Sequence, residues 1–198
     1  MKRIVDLLLD NIKKYNPGMT EAQLRTRRFG LESLLYELTK MIMYLILFSI
    51  LGHTVPYLVS LLVLGSIRTF SGGYHANSFW GCFFVSLTGF IFTIGSGLYL
   101  EISDIACVVI LALSAATDLV FAPVPHPNKP NKDPVKKKRF KLISFIIILV
   151  FGGIAFILPN QYKITVVTTI LLVAIWQLMG LWLNKTKTID KNVEVQND

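Results

Sequence analysis

Residues 69–100 read TFSGGYHANSFWGCFFVSLTGFIFTIGSGLYL, a run without a single Asp, Glu, Lys or Arg. A helix on the surface of a soluble domain keeps a polar face, and a charge-free run of this length leaves it none. A segment dissolved in lipid needs about 20 apolar residues to cross the hydrocarbon core. Two further charge-free runs flank this one, at 41–67 and 105–117. A chain of 198 residues, 53% of them apolar, is too short to bury so many apolar stretches in one soluble core. The sequence is that of an all-α, polytopic helical membrane protein.

Working outward, clear spans are expected at 79–100, 105–123, 140–158 and 164–183. The stretch 33–67 reads either as one long helix or as two limbs that turn near 52–56. Positive charge decides between them, because cytoplasmic loops carry the Lys and Arg excess. The first 40 residues carry eight basic side chains. The connector 124–141 carries seven: Lys129, Lys132, Lys136, Lys137, Lys138, Arg139 and Lys141. The tail carries Lys185, Lys187 and Lys191, while the short connectors hold only Glu101 and Asp104, or Lys163. Two limbs put every basic region on one side. The expectation is therefore about six membrane segments with cytoplasmic N and C termini. The limb 55–67 has 13 residues, which at 1.5 Å per residue is roughly 20 Å against a ~30 Å core. It is half-spanning unless Arg68–Phe70 extend it, and Pro56 suits its first helical position.

One membrane-embedded domain over 1–198 is expected, with 1–32 a basic cytoplasmic segment and 184–198 a cytoplasmic tail. Asp6 and Asp10 interrupt the first apolar run, which a cleavable signal peptide would not tolerate. Ile4, Leu7, Leu8 and Ile12 share a helical face, followed by Lys13 and Lys14. That pattern fits a helix lying at a membrane surface or an ordinary packed helix. Cys82 and Cys107 both lie in apolar segments, so no disulfide framework is indicated. The net charge of +8 flanks the apolar spans, which is the membrane pattern and not that of a nucleic-acid binder. No cofactor or metal is expected: HExxH, paired CxxC and the phosphate-cradling GxxxxGK[ST] are all absent.

The segment that carries chemistry is 68–82, RTFSGGYHANSFWGC. Gly72 and Gly73 permit backbone conformations that other residues resist. Asn77 or Ser78 suits the cap of the next helix. His75 and Cys82 flank that helix start. Imidazole can take a thiol proton, and the thiolate can attack a carbonyl, an arrangement that a helix N-terminus favours. On one straight helix the two residues would lie roughly 10 Å apart along the axis, so contact requires His75 to fold back from a loop. Packing for the cysteine and interface anchoring for the histidine are the plain alternatives. His126 is a rival base on the same side. His53 falls on the opposite side, and Cys107 has no histidine near it in sequence.

The chain resembles the accessory gene regulator protein B family of quorum-sensing membrane peptidases. The resemblance rests on Arg68, Gly73, His75, Ala76 and Cys82, on Ser78, Phe79 and Trp80 before the cysteine, and on APVPHPNKP at 122–130 followed by a basic run. Gly81 separates Trp80 from Cys82, where some relatives place the tryptophan directly before the cysteine. The resemblance implies a cysteine endopeptidase with Cys82 as nucleophile and His75 as its base. Its substrate would be a short precursor peptide with an amphipathic leader held at the membrane. Cleavage would leave a thioester on Cys82, and an internal Cys or Ser of the peptide would close a thiolactone or lactone. The resemblance also implies a homodimer.

Further candidates are open between two roles each. Arg68 is an interface anchor or a partner for a substrate carboxylate. Lys129 and Lys132, with 136–139, set topology or attract an acidic tail and anionic lipid. Asp118, the only acid within the clear spans, orients His75 or pairs with an interfacial cation. The chief rival function is a non-enzymatic peptide exporter or membrane scaffold, which would need neither His75 nor Cys82.

Overall fold

The computed structural model describes residues 2–16, 18–73, 78–124 and 133–197. They form seven helices: α1 (Lys2–Tyr15), α2 (Glu21–Ile50), α3 (Thr54–Ser71), α4 (Phe79–Tyr99), α5 (Asp104–Phe121), α6 (Pro134–Ala155) and α7 (Asn160–Asn197). No strand occurs among the described residues. The chain divides into two compact units, 1–52 and 53–198.

In the first unit α1 packs on α2. The buried residues of α1 are Val5 and Leu9, at 1% and 6% exposure, whereas Leu7 is 66% exposed. Val5 and Leu9 thus face α2, while Leu7 and Leu8 of the apolar face expected from spacing stay open, as in a helix that turns that face to a membrane surface. The Asp6 carboxylate accepts from the Arg28 guanidinium of α2 at 2.8 Å, which turns the 5–6–9 side of α1 toward its neighbour. Thr20 and Gln23 cap α2 reciprocally. Thr20 Oγ1 accepts from Gln23 N at 3.4 Å, and Gln23 Oε1 accepts from Thr20 N at 3.2 Å. This capping box starts the helix at Glu21, well before the apolar stretch. Gly52, at φ +74°, follows the end of α2, and its N–H donates to Ser49 O at 3.1 Å. The stretch 33–67 is therefore two helices.

The second unit is a five-helix bundle. Within it α3 has 18 residues, about 27 Å at 1.5 Å per residue, because Arg68–Ser71 continue the expected 55–67 limb. Pro56 is the third residue of α3, not the first, and still lies within the turn whose N–H groups have no helical partner. Around α7 pack α3, α4, α5 and α6. In its apolar stretch α7 is 67% buried, against 17% for α5, which makes α7 the centre. Interhelical hydroxyl bonds join the middle of the bundle. Ser60 of α3 bonds Thr93 of α4 and Thr169 of α7, each at 3.0 Å. Small residues bring the axes close. A Cβ on Gly97 of α4 would run into the Thr165 side chain and come within 2.5 Å of Gln161 O, both on α7.

Among the described residues, five helices are long and apolar enough to cross a membrane: α2 over Gln23–Ile50, α3, α4, α5, and α7 over Asn160–Leu183. The sixth expected segment falls in α6. There Lys136–Arg139 and Lys141 occupy the first turns. The charge-free remainder, 142–155, covers only about 21 Å. Beyond residue 183, where a tail was expected, the backbone of α7 continues as helix to Asn197.

Candidate functional site

The two ends of the bundle differ in chemistry. At one end Lys163 Nζ of α7 donates to Asp104 Oδ1 of α5 at 2.6 Å. Cys107 is fully buried in the first turn of α5, toward this end. His53 precedes α3 here.

The other end collects the last turn of α3, the start of α4, the end of α5 and the basic start of α6. Lys141 Nζ donates to Val120 O at 3.4 Å, and the rings of Phe70 and Phe140 meet edge to face at 5.8 Å. Val124 N donates to Ser71 O at 2.9 Å, tying the segment after α5 to the end of α3. Gly72 follows at φ +71° and ψ −151°, a backbone conformation that is nearly exclusive to glycine. A Cβ there would lie 2.7 Å from Val124 O. Gly73, at φ +138°, runs past the backbone of α7 at Trp176 and Gln177. The glycine pair thus threads the chain between the α5 exit and α7 before it reaches residues 74–77.

Cys82 lies in the opening turn of α4 and is half-buried. Ser78 caps that helix: its Oγ accepts from Gly81 N at 3.0 Å, and its carbonyl accepts from Cys82 N at 3.0 Å. Phe79, Trp80, Phe83 and Phe84 form a contiguous aromatic cluster along one face of this turn, Trp80 and Phe84 stacked at 6.3 Å. Arg68, in the last turn of α3, places its guanidinium 4.8 Å from the ring centroid of Trp176. His75, His126, Lys129 and Lys132 lie outside the described residues.

Asp118 sits one turn before the end of α5 and is 1% exposed. Its Oδ2 accepts from Ser144 Oγ of α6 and its Oδ1 from Gln177 Nε2 of α7, both at 2.7 Å. Both carboxylate oxygens are engaged by neighbouring helices, so the residue knits α5, α6 and α7 below the glycine loop. Sequence reasoning selected Asp118 but missed Ser144 and Gln177. A signal was available for the second. Gln177 is the only carboxamide in the apolar stretch 164–183, and a polar group at that depth needs a partner. Gln177 Oε1 and Ser114 Oγ, the latter one turn before Asp118, are buried without a hydrogen-bond partner.

The accessory gene regulator B (AgrB) family model matches residues 2–181. A relative from Clostridium beijerinckii, named as an AgrB-like protein, is 29% identical over 155 residues, covering 75% of this chain and 78% of the relative. No solved structure matches the chain. The match runs from α1 through the spanning part of α7 and takes in both the glycine loop and the α4 start, so the chain belongs to the accessory gene regulator B family.

Proposed function

We propose that this membrane protein is a cysteine endopeptidase that trims a membrane-held precursor peptide and closes the remainder into a cyclic thiolactone or lactone signal. Family membership supports a role in the accessory gene regulator system. The observation that carries the reading is Cys82 in the first turn of a capped helix, half-buried, seven residues after His75 and following a glycine pair fastened to Val124.

The chemistry balances as an acyl transfer followed by an exchange. His75 takes the proton of the Cys82 thiol, and Sγ attacks the scissile carbonyl. The positive end of the α4 dipole lies at this turn. The C–N bond breaks, the imidazolium returns its proton to the departing amine, and the peptide remains on Cys82 as a thioester. The precursor's own thiol or hydroxyl then attacks that carbonyl. The ring closes, and the Cys82 sulfur leaves and regains a proton. Exchange of one thiolate for another releases little energy, so the ring forms only where water is held back and both peptide ends are held together. A nucleophile at the membrane boundary, on a turn whose neighbouring face carries exposed rings such as Trp80 and Phe84, supports the first condition.

The test uses the full chain in lipid vesicles with its precursor peptide. Wild type should release the C-terminal tail and, on rapid acid quench, carry the peptide in a hydroxylamine-sensitive bond. Cys82→Ala should lose both the cleavage and the adduct, and His75→Ala should lose at least the cleavage. Full tail release by Cys82→Ala would sink the assignment.

A further inference from the structure

Gln177 of α7 makes two contacts that belong together. Its side chain donates to Asp118 Oδ1 of α5 at 2.7 Å. Its backbone, with that of Trp176, borders Gly73: a Cβ on that glycine would lie 3.6 Å from Trp176 O and 3.8 Å from Gln177 N. Asp118 leads to the opposite border. Its carbonyl accepts from Ala122 N at 2.9 Å and so closes α5, two residues before Val124. Val124 N donates to Ser71 O, and a Cβ on Gly72 would stand 2.7 Å from Val124 O. The glycine pair therefore lies in a slot between Val124 and the backbone of α7. The Asp118–Gln177 bond joins the two elements that form its walls.

Dispersion contacts have no direction, so an apolar pair at 118 and 177 would let α5 and α7 shift a little at small cost. A hydrogen bond weakens as its distance and angle depart from their narrow optimum. A carboxylate at this depth is expensive, and apolar residues would fill the space without that cost. What the polar pair adds is a fixed separation of the walls. Asp118 and Gln177 are 1% and 0% exposed, so their part is to position other groups and not to touch the peptide. His75 follows Gly73 by two residues, and a reacting group displaced by 1 Å can lose about a hundredfold in rate.

We propose that Asp118 and Gln177 are positioning residues whose bond sets the slot that holds Gly72 and Gly73, and thereby the place from which the chain presents His75 to Cys82. The proposal rests on the peptidase reading, because it needs His75 to act as the base.

Cys107→Ala leaves Cys82 as the only thiol. In this parent, held in lipid vesicles, alkylation of Cys82 by iodoacetamide reports the base without any precursor peptide. At pH 7 an unassisted thiol is only a few per cent thiolate, so losing the base should slow alkylation about tenfold. His75→Ala should show that loss. Gln177→Met, close to glutamine in size and unable to bond Asp118, should show the same loss. Both should react like the parent at about pH 9.5, where a thiol ionises unaided. Asp118→Asn should recover most of the parent rate, because a turned Gln177 amide can bond the new side chain.

A loss in His75→Ala with none in Gln177→Met overturns the positioning role and leaves the dyad standing. No loss in His75→Ala removes the dyad, and the positioning role with it. A Gln177→Met deficit that persists at about pH 9.5 marks general damage and also overturns the proposal. So does slow alkylation of a folded Asp118→Asn, which would give the carboxylate charge a direct part. If Gln177→Met does not fold, Gly72→Ala tests the slot from its other wall, against Val124 O. It should slow alkylation likewise, and alkylation at the parent rate refutes the proposal.

Discussion

Asp118 joins three helices of the bundle through one buried carboxylate. Its two oxygens accept from Ser144 and Gln177, with Gln177 fully buried. Removing the carboxylate takes the acceptor from the buried Gln177 amide, worth about 1–3 kcal/mol, whereas Ser144 Oγ still donates to Lys141 O at 3.0 Å. Asp118→Ala should therefore destabilise the bundle by about 2–4 kcal/mol, counting the cavity as well. Asp118→Asn should cost about 1 kcal/mol or less, because a rotated Gln177 amide can offer its unpartnered Oε1 to the new amide group. Unfolding in mixed micelles against a rising mole fraction of denaturing detergent reads both variants. Equal destabilisation by Ala and Asn would show that hydrogen bonding at Asp118 does not hold the three helices together. If the carboxylate instead acts on the reaction, Asp118→Asn would fold normally yet cleave the precursor more slowly, so stability and cleavage measured on one variant separate the two roles.

At the scale of elements, the close approach of α4 and α7 rests on glycine. Gly97 has no room for a side chain against Thr165 and Gln161, whereas a Cβ on Gly95 would meet nothing within 4 Å. Gly97→Leu should push the helices apart and cost more than about 2 kcal/mol in the same micelle assay, in line with overpacking of a close contact. Gly95→Leu should stay within about 0.5 kcal/mol, as lipid-facing changes away from contacts do. A tolerated Gly97→Leu would mean that the two axes are not in contact there. The same elements mark what could be read from sequence. Charge-free runs and terminal basic residues located α3, α4, α5 and α7, because lipid imposes length and apolarity on a span. The turn at Gly52 followed from charge counting. The start of α2 did not, because its capping box precedes a charged stretch that an apolarity criterion passes over. The side of α1 that packs on α2 was not legible either, since the Asp6–Arg28 bond depends on a partner helix. In the candidate site Cys82, Gly72 and Arg68 were legible from residue type and spacing. The seats that hold them were not. Val124 meets Gly72, Trp176 meets Arg68, and Gln177 meets Asp118, each from a helix or connector distant in sequence.

For the whole molecule, the asymmetry of charge makes a topological prediction. The end of the bundle with Arg68 and Lys136–Lys141 is strongly basic, and the end with Asp104 and Lys163 is nearly neutral through their 2.6 Å pair. Basic segments stay in the cytoplasm. With Cys82 and Cys107 replaced by Ala, a cysteine at Ser103 should react with a membrane-impermeant maleimide added outside intact cells. A cysteine at Asp133 should react only after the membrane is opened. A third cysteine at Gly18 probes the first unit. It should match Asp133 if α2 and α3 traverse the membrane in opposite directions, and match Ser103 if only one of them crosses. The last outcome would put the N-terminus outside and reduce the span count, while the bundle of α3–α7 would be untouched. Cys82 would stay on the Asp133 side in either case, because Val124 N–H bonded to Ser71 O ties the start of that loop to the exit of α5. With the basic end in the cytoplasm, Cys82 would lie where the precursor of the proposed function arrives, so labelling of Asp133→Cys from outside would count against both the topology and the proposed substrate route.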